Sequence, residues 1–329
     1  MTALCVRLEH RFGDARRQHG SSLETKWVRM IYVFCLDSGF VMPTGVAVRS
    51  LDRFLTRSDR IVLLHLGLSP REMRDLGACV INAEVEFHEC SGRLRPSWIP
   101  PSHVSEAAFL RYLAPEILDT DERCVYLDGD VIVRRSPQIL HDTDLEGNTL
   151  AAVRSRVAPF AASPGGIVAW FEEGIPSTAP YFNSGMLVID LDRWRSRKIT
   201  DKLTSYLDRH VNKAYLADQE ALNSAVVGDW MAVGREWNYI THVTESFLQQ
   251  PELEPKDPGV VHFAGRHKPW VHGRFPLFAE EWYGIAQTTP WADFKTTPPT
   301  PKRGLKHAGR RVAGRALRRL KSLAAEPNK

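Results

Sequence analysis

Residues 28–36, VRMIYVFCL, are apolar except for Arg29 and rich in β-branched and aromatic side chains, which predicts a buried strand that Asp37-Ser38-Gly39 brings to an end. Behind Pro43, the positions Val46, Leu51, Phe54 and Leu55 recur at helical spacing, so a helix is expected over 43–55. The alternation then repeats. Residues 61–66 read as a strand, Ser69 as the cap of a helix over 70–76, and 85–88 as a further strand. A helix is predicted over 105–118 and a strand over 124–127 that runs into Asp128-Gly129-Asp130. Strands are also expected at 147–153, 186–189 and 260–263, and a helix over 191–206. Strands alternating with helices imply an α/β fold with an open, mostly parallel sheet flanked by helices. In such folds ligands bind beyond the carboxyl ends of strands, and Asp37, Asp128 and His262 all fall at or near predicted ends.

Composition leaves this picture intact. In 329 residues, 43% are hydrophobic and 25% charged, which suits a soluble globular chain. Five scattered cysteines without a CxxC suggest neither a disulfide framework nor a zinc ribbon, and favour a reducing compartment. The first 26 residues are polar and aperiodic, and read as a disordered leader without the apolar core of a signal peptide. The Rossmann GxGxxG and Walker A loops are both missing, which disfavours a dinucleotide cofactor.

Charge divides the chain. From Lys302 onward there are ten Lys/Arg and a single acid, against 33 Lys/Arg and 38 Asp/Glu before it, so an acidic body carries a basic tail. TTPPTP at 296–301 reads as a stiff linker between them. Beyond it, Leu305, Ala308, Val312, Ala316, Leu320 and Leu323 recur every three or four residues among arginines and lysines, the pattern of a basic amphipathic helix over 302–323. The expected organisation is a leader at 1–26, a catalytic domain at 27–295, a linker at 296–301 and a tail at 302–329.

The candidate chemistry centres on Asp128 and Asp130. Two carboxylates two residues apart between the apolar runs CVYL and VIV are costly unless a cation neutralises them; the plain alternative is a turn with two solvated acids. Oxygen ligands favour Mg²⁺ or Mn²⁺, and an added imidazole tilts the choice to Mn²⁺.

YLDGDVIVRRSP, YFNSGMLVIDLDRWR, DQEALN and VVHFAGRHKPW, in this order and spacing, resemble glycosyltransferase family 8, the retaining enzymes that include bacterial lipooligosaccharide galactosyltransferases and glycogenin-like proteins. The resemblance covers residues 27–282 and implies a GT-A-like fold. It implies that Asp128, Asp130 and His262 hold Mn²⁺ on the diphosphate of a UDP-sugar, with Lys268 contacting the phosphates and Gly265 letting the backbone approach them. It matches Asp37 to a position near the uracil base and Phe40 to the aromatic that stacks on it, whereas Ser38 and Gly39 depart from the Asp and Asn common there. Phe40 could also be only a turn residue. Arg111 matches an arginine that reaches the donor sugar, or is a helix-surface residue. Asn183, Asp218 and Gln219 match positions that bracket the transferred sugar; a turn asparagine and a helix cap are the plainer roles for the first two.

The resemblance implies transfer of a hexose, galactose or glucose, to a glycan or glycolipid acceptor in lipopolysaccharide or surface polysaccharide synthesis. A same-face attack is favoured over a double displacement, because the neutral amide of Gln219 is a weak nucleophile. The tail predicts peripheral attachment to an anionic membrane surface at the cytoplasmic face, and no nucleic-acid partner is expected. Two rivals remain: a sugar nucleotidyltransferase, whose glycine-rich N-terminal loop is not visible, and a catalytically degenerate, UDP-sugar-binding membrane scaffold.

Overall fold

The computed structural model of the protein describes residues 29–98, 105–241, 255–271 and 275–296. The expected leader, most of the linker and the basic tail lie outside the described residues. The strands are β1 (Ile31–Asp37), β2 (Arg60–Leu66), β3 (Glu84–Glu89), β4 (Arg123–Leu127), β5 (Val131–Val133), β6 (Leu150–Arg154), β7 (Phe182–Asp190), β8 (Trp230–Ala232), β9 (Tyr239–Ile240) and β10 (Val260–His262). Among the described residues a seven-stranded sheet has the order β3-β2-β1-β4-β7-β6-β8, and a three-stranded sheet the order β5-β10-β9. The helices are α1 (Val41–Asp52), α2 (Pro70–Gly77), α3 (Ala114–Ile117), α4 (Gln138–His141), α5 (Leu191–Ser196), α6 (Ile199–His210), α7 (Ala217–Ala225) and α8 (Ala279–Ala286).

The continuous apolar run of β1 is explained by burial on both faces. Ile31, Val33 and Cys35 pack on one side of the sheet with residues of α6 and α7, while Tyr32, Phe34 and Leu36 pack on the other with α1 and α2. The expected mostly parallel α/β fold is what the chain adopts: β1 pairs in parallel with β2 and β4, β2 with β3, and β6 with β8. The exception is β7, which runs antiparallel between β4 and β6. Its beginning, not its end, therefore lies beside the carboxyl end of β4, with Leu127 opposite Met186 and the Asp128 N–H donating to the Gly185 carbonyl at 2.9 Å.

Sequence order reverses between β1 and β4, the switch point at which open sheets leave a crevice. Asp37 ends β1, and Asp128 directly follows β4. After Asp130 the chain leaves the large sheet, and β5 pairs antiparallel with β10, which sets Val131 opposite His262. That pairing brings together residues more than a hundred positions apart.

Two predicted helices differ from expectation. The segment 105–118 begins as a 3-10 helix over Glu106–Leu113, capped by the Ser105 hydroxyl on the Ala107 N–H, and becomes α only at α3. The expected helix over 191–206 breaks in two at Lys198, whose φ of 53° is left-handed. Periodicity survives such a break because each piece buries its own apolar side: Leu191 and Trp194 in α5, and Ile199, Leu203, Tyr206 and Leu207 in α6. The Ser69 cap is present, with Glu72 completing a reciprocal capping box. Cys35, Cys79, Cys90 and Cys124 are free and buried, and burial pushes the thiols of Cys79 and Cys124 up to about 12.

A left-handed backbone costs a side-chain-bearing residue roughly 1–2 kcal/mol, while glycine adopts it freely. Lys198→Gly is expected to stabilise the fold by about 0.5–1 kcal/mol, read as a higher urea midpoint with an unchanged slope; a lower midpoint would contradict the left-handed break.

Candidate active site

Asp128, Asp130 and His262 converge so that one ligand atom from each lies within 4.8 Å of the others. His262 Nε2 is 3.1 Å from Asp130 Oδ1 and 3.6 Å from Asp128 Oδ2. Asp130 is only 7% exposed, so the solvated-turn reading of this pair does not hold. Burial raises the pKa of the Asp130 carboxyl, but Lys268 and His262 outweigh that and hold it well below the usual carboxylate range. Lys268 forms a direct ion pair with Asp130.

Two glycines make this convergence possible. A Cβ on Gly185 would lie 2.3 Å from the His262 ring and 3.0 Å from Asp128 Oδ2. A Cβ on Gly129 would strike the Thr44 hydroxyl at 2.4 Å and the Phe40 ring at 3.1 Å, so the small residue between the two acids lets the loop close onto α1.

Beneath the acids lies Arg111. It is 3% exposed, so the helix-surface alternative is excluded, and its charge is held from several sides. Its guanidinium donates to the Ser184 carbonyl at 2.8 Å, to Asp218 Oδ2 at 3.2 Å and to Asp128 Oδ1 at 3.4 Å, and sits 4.5 Å from the Tyr126 ring centroid. Burial opposes its charge, but Tyr126, Asp128 and Asp218 outweigh burial and push its pKa up. In Asp218 the balance is reversed: desolvation raises the carboxyl pKa despite the pull of Arg111. Asp218 is not the cap of α7. Leu216 holds that position, and the Glu220 carboxylate instead accepts from the N–H groups of Tyr215 and Leu216.

Asn183 lies in β7 and not in a turn, and its amide donates to Gln219 Oε1 at 2.9 Å. The same oxygen accepts the Ser184 N–H at 3.0 Å, and Gln219 Nε2 donates to the Tyr181 hydroxyl at 3.1 Å. Gln219 is thus held at both ends of its amide. On the β1 side of the crevice, Asp37 Oδ2 accepts from the Ser105 hydroxyl at 2.5 Å. Phe40 packs edge-on against Trp270 at 5.8 Å, and Lys268 Nζ stands 5.5 Å from the Phe40 centroid. A cavity of about 470 Å³ opens beside Ser38 and Gly39, walled by Met42, Trp270 and Trp291. Gly265 follows β10 with a φ of 70°, a conformation that suits glycine.

Of these charged side chains, three carboxylates face two cations, Arg111 and Lys268. Two carboxylates and an imidazole nitrogen that meet within coordinating reach are a donor set that fits a divalent cation. Sequence reading missed two side chains that fix this set. Tyr126 donates its hydroxyl to Asp128 Oδ1 at 2.6 Å, and Asn238 Oδ1 pairs with His262 Nδ1 at 2.8 Å. Tyr126 was accessible through the two-residue period of a strand, which puts it on the same face as Asp128. Asn238, flanked by the buried Trp237 and Tyr239, carries no comparable signal.

The comparisons with known proteins bear on this arrangement. Over 281 residues the chain is 27% identical to General stress protein A of Bacillus subtilis, covering 80% of this chain and 94% of that one. It is 24% identical over 270 residues to glycosyltransferase GlyF of Streptococcus pneumoniae, covering 81% of this chain but only 63% of that protein. Among solved structures, galactosyltransferase LgtC, in complex with donor and acceptor sugar analogues, superposes with a TM-score of 0.67 at 23% identity, covering 84% of this chain and 99% of that one. That likeness establishes a shared fold. The model of glycosyl transferase family 8 matches residues 31–273, a stretch that holds Asp37, Arg111, Asp128, Asp130, Asn183, Asp218, Gln219, His262 and Lys268, and the chain accordingly belongs to glycosyltransferase family 8.

Proposed function

We propose that the chain is a Mn²⁺-dependent retaining hexosyltransferase that moves galactose or glucose from a UDP-sugar to a glycan or glycolipid. The observation that carries this reading is the meeting of Asp128, Asp130 and His262 beside Lys268 at the carboxyl end of the sheet. Mg²⁺ could occupy the same oxygens, but the imidazole favours Mn²⁺. When bound, the cation supplies a Lewis acid that neutralises the diphosphate leaving group. LgtC, a galactosyltransferase of the same fold solved with donor and acceptor sugar analogues, is a precedent for sugar transfer on this scaffold.

The roles of the chain's own residues follow from their partners. Lys268 offers a positive charge to the phosphates, Asp37 and Phe40 bind the nucleoside, and Gly265 keeps the backbone open to the diphosphate. Arg111 locks Asp128 and Asp218 into one unit, so that the acids under the donor do not drift apart. Asn183, Asp218 and Gln219 bracket the sugar. The carbonyl oxygen of Gln219 already accepts two hydrogen bonds, which lowers its nucleophilicity further. This favours attack of the acceptor hydroxyl on the same face from which the diphosphate leaves. The hydroxyl proton passes to the departing phosphate oxygen, while Asp218 and Gln219 steady the charge that develops on the sugar. Glycosidase-like paired carboxylates are not needed, since the leaving group requires charge neutralisation and not an acid.

The proposed organisation keeps residues 27–295 as the catalytic domain, 296–301 as a linker and 302–329 as a tail. No helix among the described residues is long and apolar enough to cross a membrane. Attachment of the tail to anionic lipid at the inner face of the cytoplasmic membrane rests on the ten Lys/Arg beyond residue 301, and an acceptor belonging to lipopolysaccharide or surface polysaccharide rests on the family resemblance.

Three outcomes are expected. A panel of UDP-sugars should give Mn²⁺-dependent release of UDP with UDP-galactose or UDP-glucose, reduced roughly 100-fold or more in Asp130→Asn, and with no sugar adduct on Asp218 or Gln219 in mass spectra. Silence with every donor would favour the scaffold reading, and a trapped adduct would overturn the same-face route. Gly185→Ala should push the His262 ring aside and weaken Mn²⁺ binding about tenfold or more, measured by calorimetry on a folded variant; unchanged affinity would count against the close approach. Removing residues 302–329 should abolish salt-sensitive binding to anionic vesicles in flotation while sparing donor hydrolysis, and persistent flotation would refute the role of the tail.

A further inference from the structure

Four polar side chains run from the metal-ligand cluster to the sugar side of the site in a single chain of hydrogen bonds. Asn238 Oδ1 meets His262 Nδ1 at 2.8 Å, and Asn238 Nδ2 donates to Asn183 Oδ1 at 2.7 Å. Asn183 Nδ2 donates to Gln219 Oε1, whose own Nε2 donates to Tyr181. Asn238 is 4% exposed and Gln219 6%.

An amide can be turned end for end, and an imidazole can carry its proton on either nitrogen, so the direction of such a chain must come from a group that cannot reverse. Two backbone N–H groups of β7 supply it. The Gly185 N–H donates to Asn183 Oδ1 at 3.1 Å, and the Ser184 N–H donates to Gln219 Oε1 at 3.0 Å. A backbone N–H only donates, which fixes both of those atoms as oxygens. Asn183 Oδ1 is then an acceptor, so the Asn238 atom facing it is the NH₂ group. The atom of Asn238 that faces His262 is therefore its oxygen, and His262 Nδ1 carries the proton. The other ring nitrogen, Nε2, faces Asp128 and Asp130.

We propose that Asn238 is a positioning residue that holds His262 in its cation-binding tautomer and ties it, through Asn183, to the amide of Gln219. This rests on the reading of Asp128, Asp130 and His262 as a cation site. Both ends of the Asn238 amide are engaged, since the oxygen sets the imidazole and the NH₂ group sets Asn183. The two ends are separable by substitution. Asn238→Asp keeps an acceptor for Nδ1–H but turns a second acceptor toward Asn183 Oδ1, which is already committed to the Gly185 N–H. Asn238→Leu has a similar volume and loses both ends.

In ¹⁵N-histidine spectra of the metal-free wild-type protein at pH 8, Nδ1 of His262 should carry a proton; a bare Nδ1 overturns the proposal without any substitution. Mn²⁺ binding without donor, read from the electron paramagnetic resonance signal of free Mn²⁺, should weaken roughly 10–100-fold in Asn238→Leu and stay within about threefold of wild type in Asn238→Asp. Asn238→Asp should instead lower kcat at saturating Mn²⁺ about tenfold or more with little change in the KM for donor. Melting curves establish that the variants are folded; should Asn238→Leu not fold, the spectra and the Asn238→Asp split still decide the matter. Wild-type affinity in a folded Asn238→Leu, or wild-type kcat in Asn238→Asp, overturns the assignment. Absence of Mn²⁺ binding by the wild type would instead sink the cation-site reading itself, while the tautomer spectrum would still test what Asn238 does.

Discussion

Repulsion among acids governs the architecture of this site. Asp128, Asp130 and Asp218 gather at one end of the sheet, where burial penalises the charges of Asp130 and Asp218, and the surrounding structure is arranged to make that tolerable. Arg111 enters from below through a 3-10 turn and pairs with two of them, while Lys268 pairs with the third. One ligand atom each of Asp128, Asp130 and His262 lies within 4.8 Å of the others, a spacing that a further cation could bridge. Removing either Arg111 or Lys268 would leave a buried carboxylate without its partner, a change far more costly than the loss of an exposed ion pair.

The scaffold answers this demand through two departures from a purely parallel sheet. By running antiparallel, β7 brings Asn183, Ser184 and Gly185 to the carboxyl end of β4, where backbone groups hold Asp128, Arg111 and Gln219. The pairing of β5 with β10 carries His262 to Asp130, and the Phe263 N–H closes that register on the Asp130 carbonyl at 2.9 Å. Asp128 and Gln219 are therefore both held by the main chain of β7. That is why an amide chain can pass from His262 to Gln219, and why its polarity is set by main-chain donors and not by side chains free to turn.

Much of this was legible in the order of residues. The apolar run of β1, the Ser69 cap and the acids after β4 follow from local pattern, because a strand buried on both faces and a helix start leave marks within a few positions. The four motifs carried the family, and Asp128, Asp130 and His262 proved to be neighbours as their match implied. The missed residues failed in different ways. Tyr126 was marked by strand alternation and could have been found, whereas Asn238 sits between two core aromatics in a segment whose pattern says only that it is buried.

By itself, the sequence determined the alternating elements, the acids at the strand end, the division of charge between body and tail, and the family. Tertiary structure alone decided that β7 runs antiparallel, that residues 191–206 break at Lys198, that Arg111 is buried, and that Asn238 faces Nδ1 of His262. The physical reason is range. Periodicity, capping and local charge act over a few residues and are written along the chain, whereas strand direction, the pairing of distant charges and the polarity of a hydrogen-bond network depend on which segments meet in space.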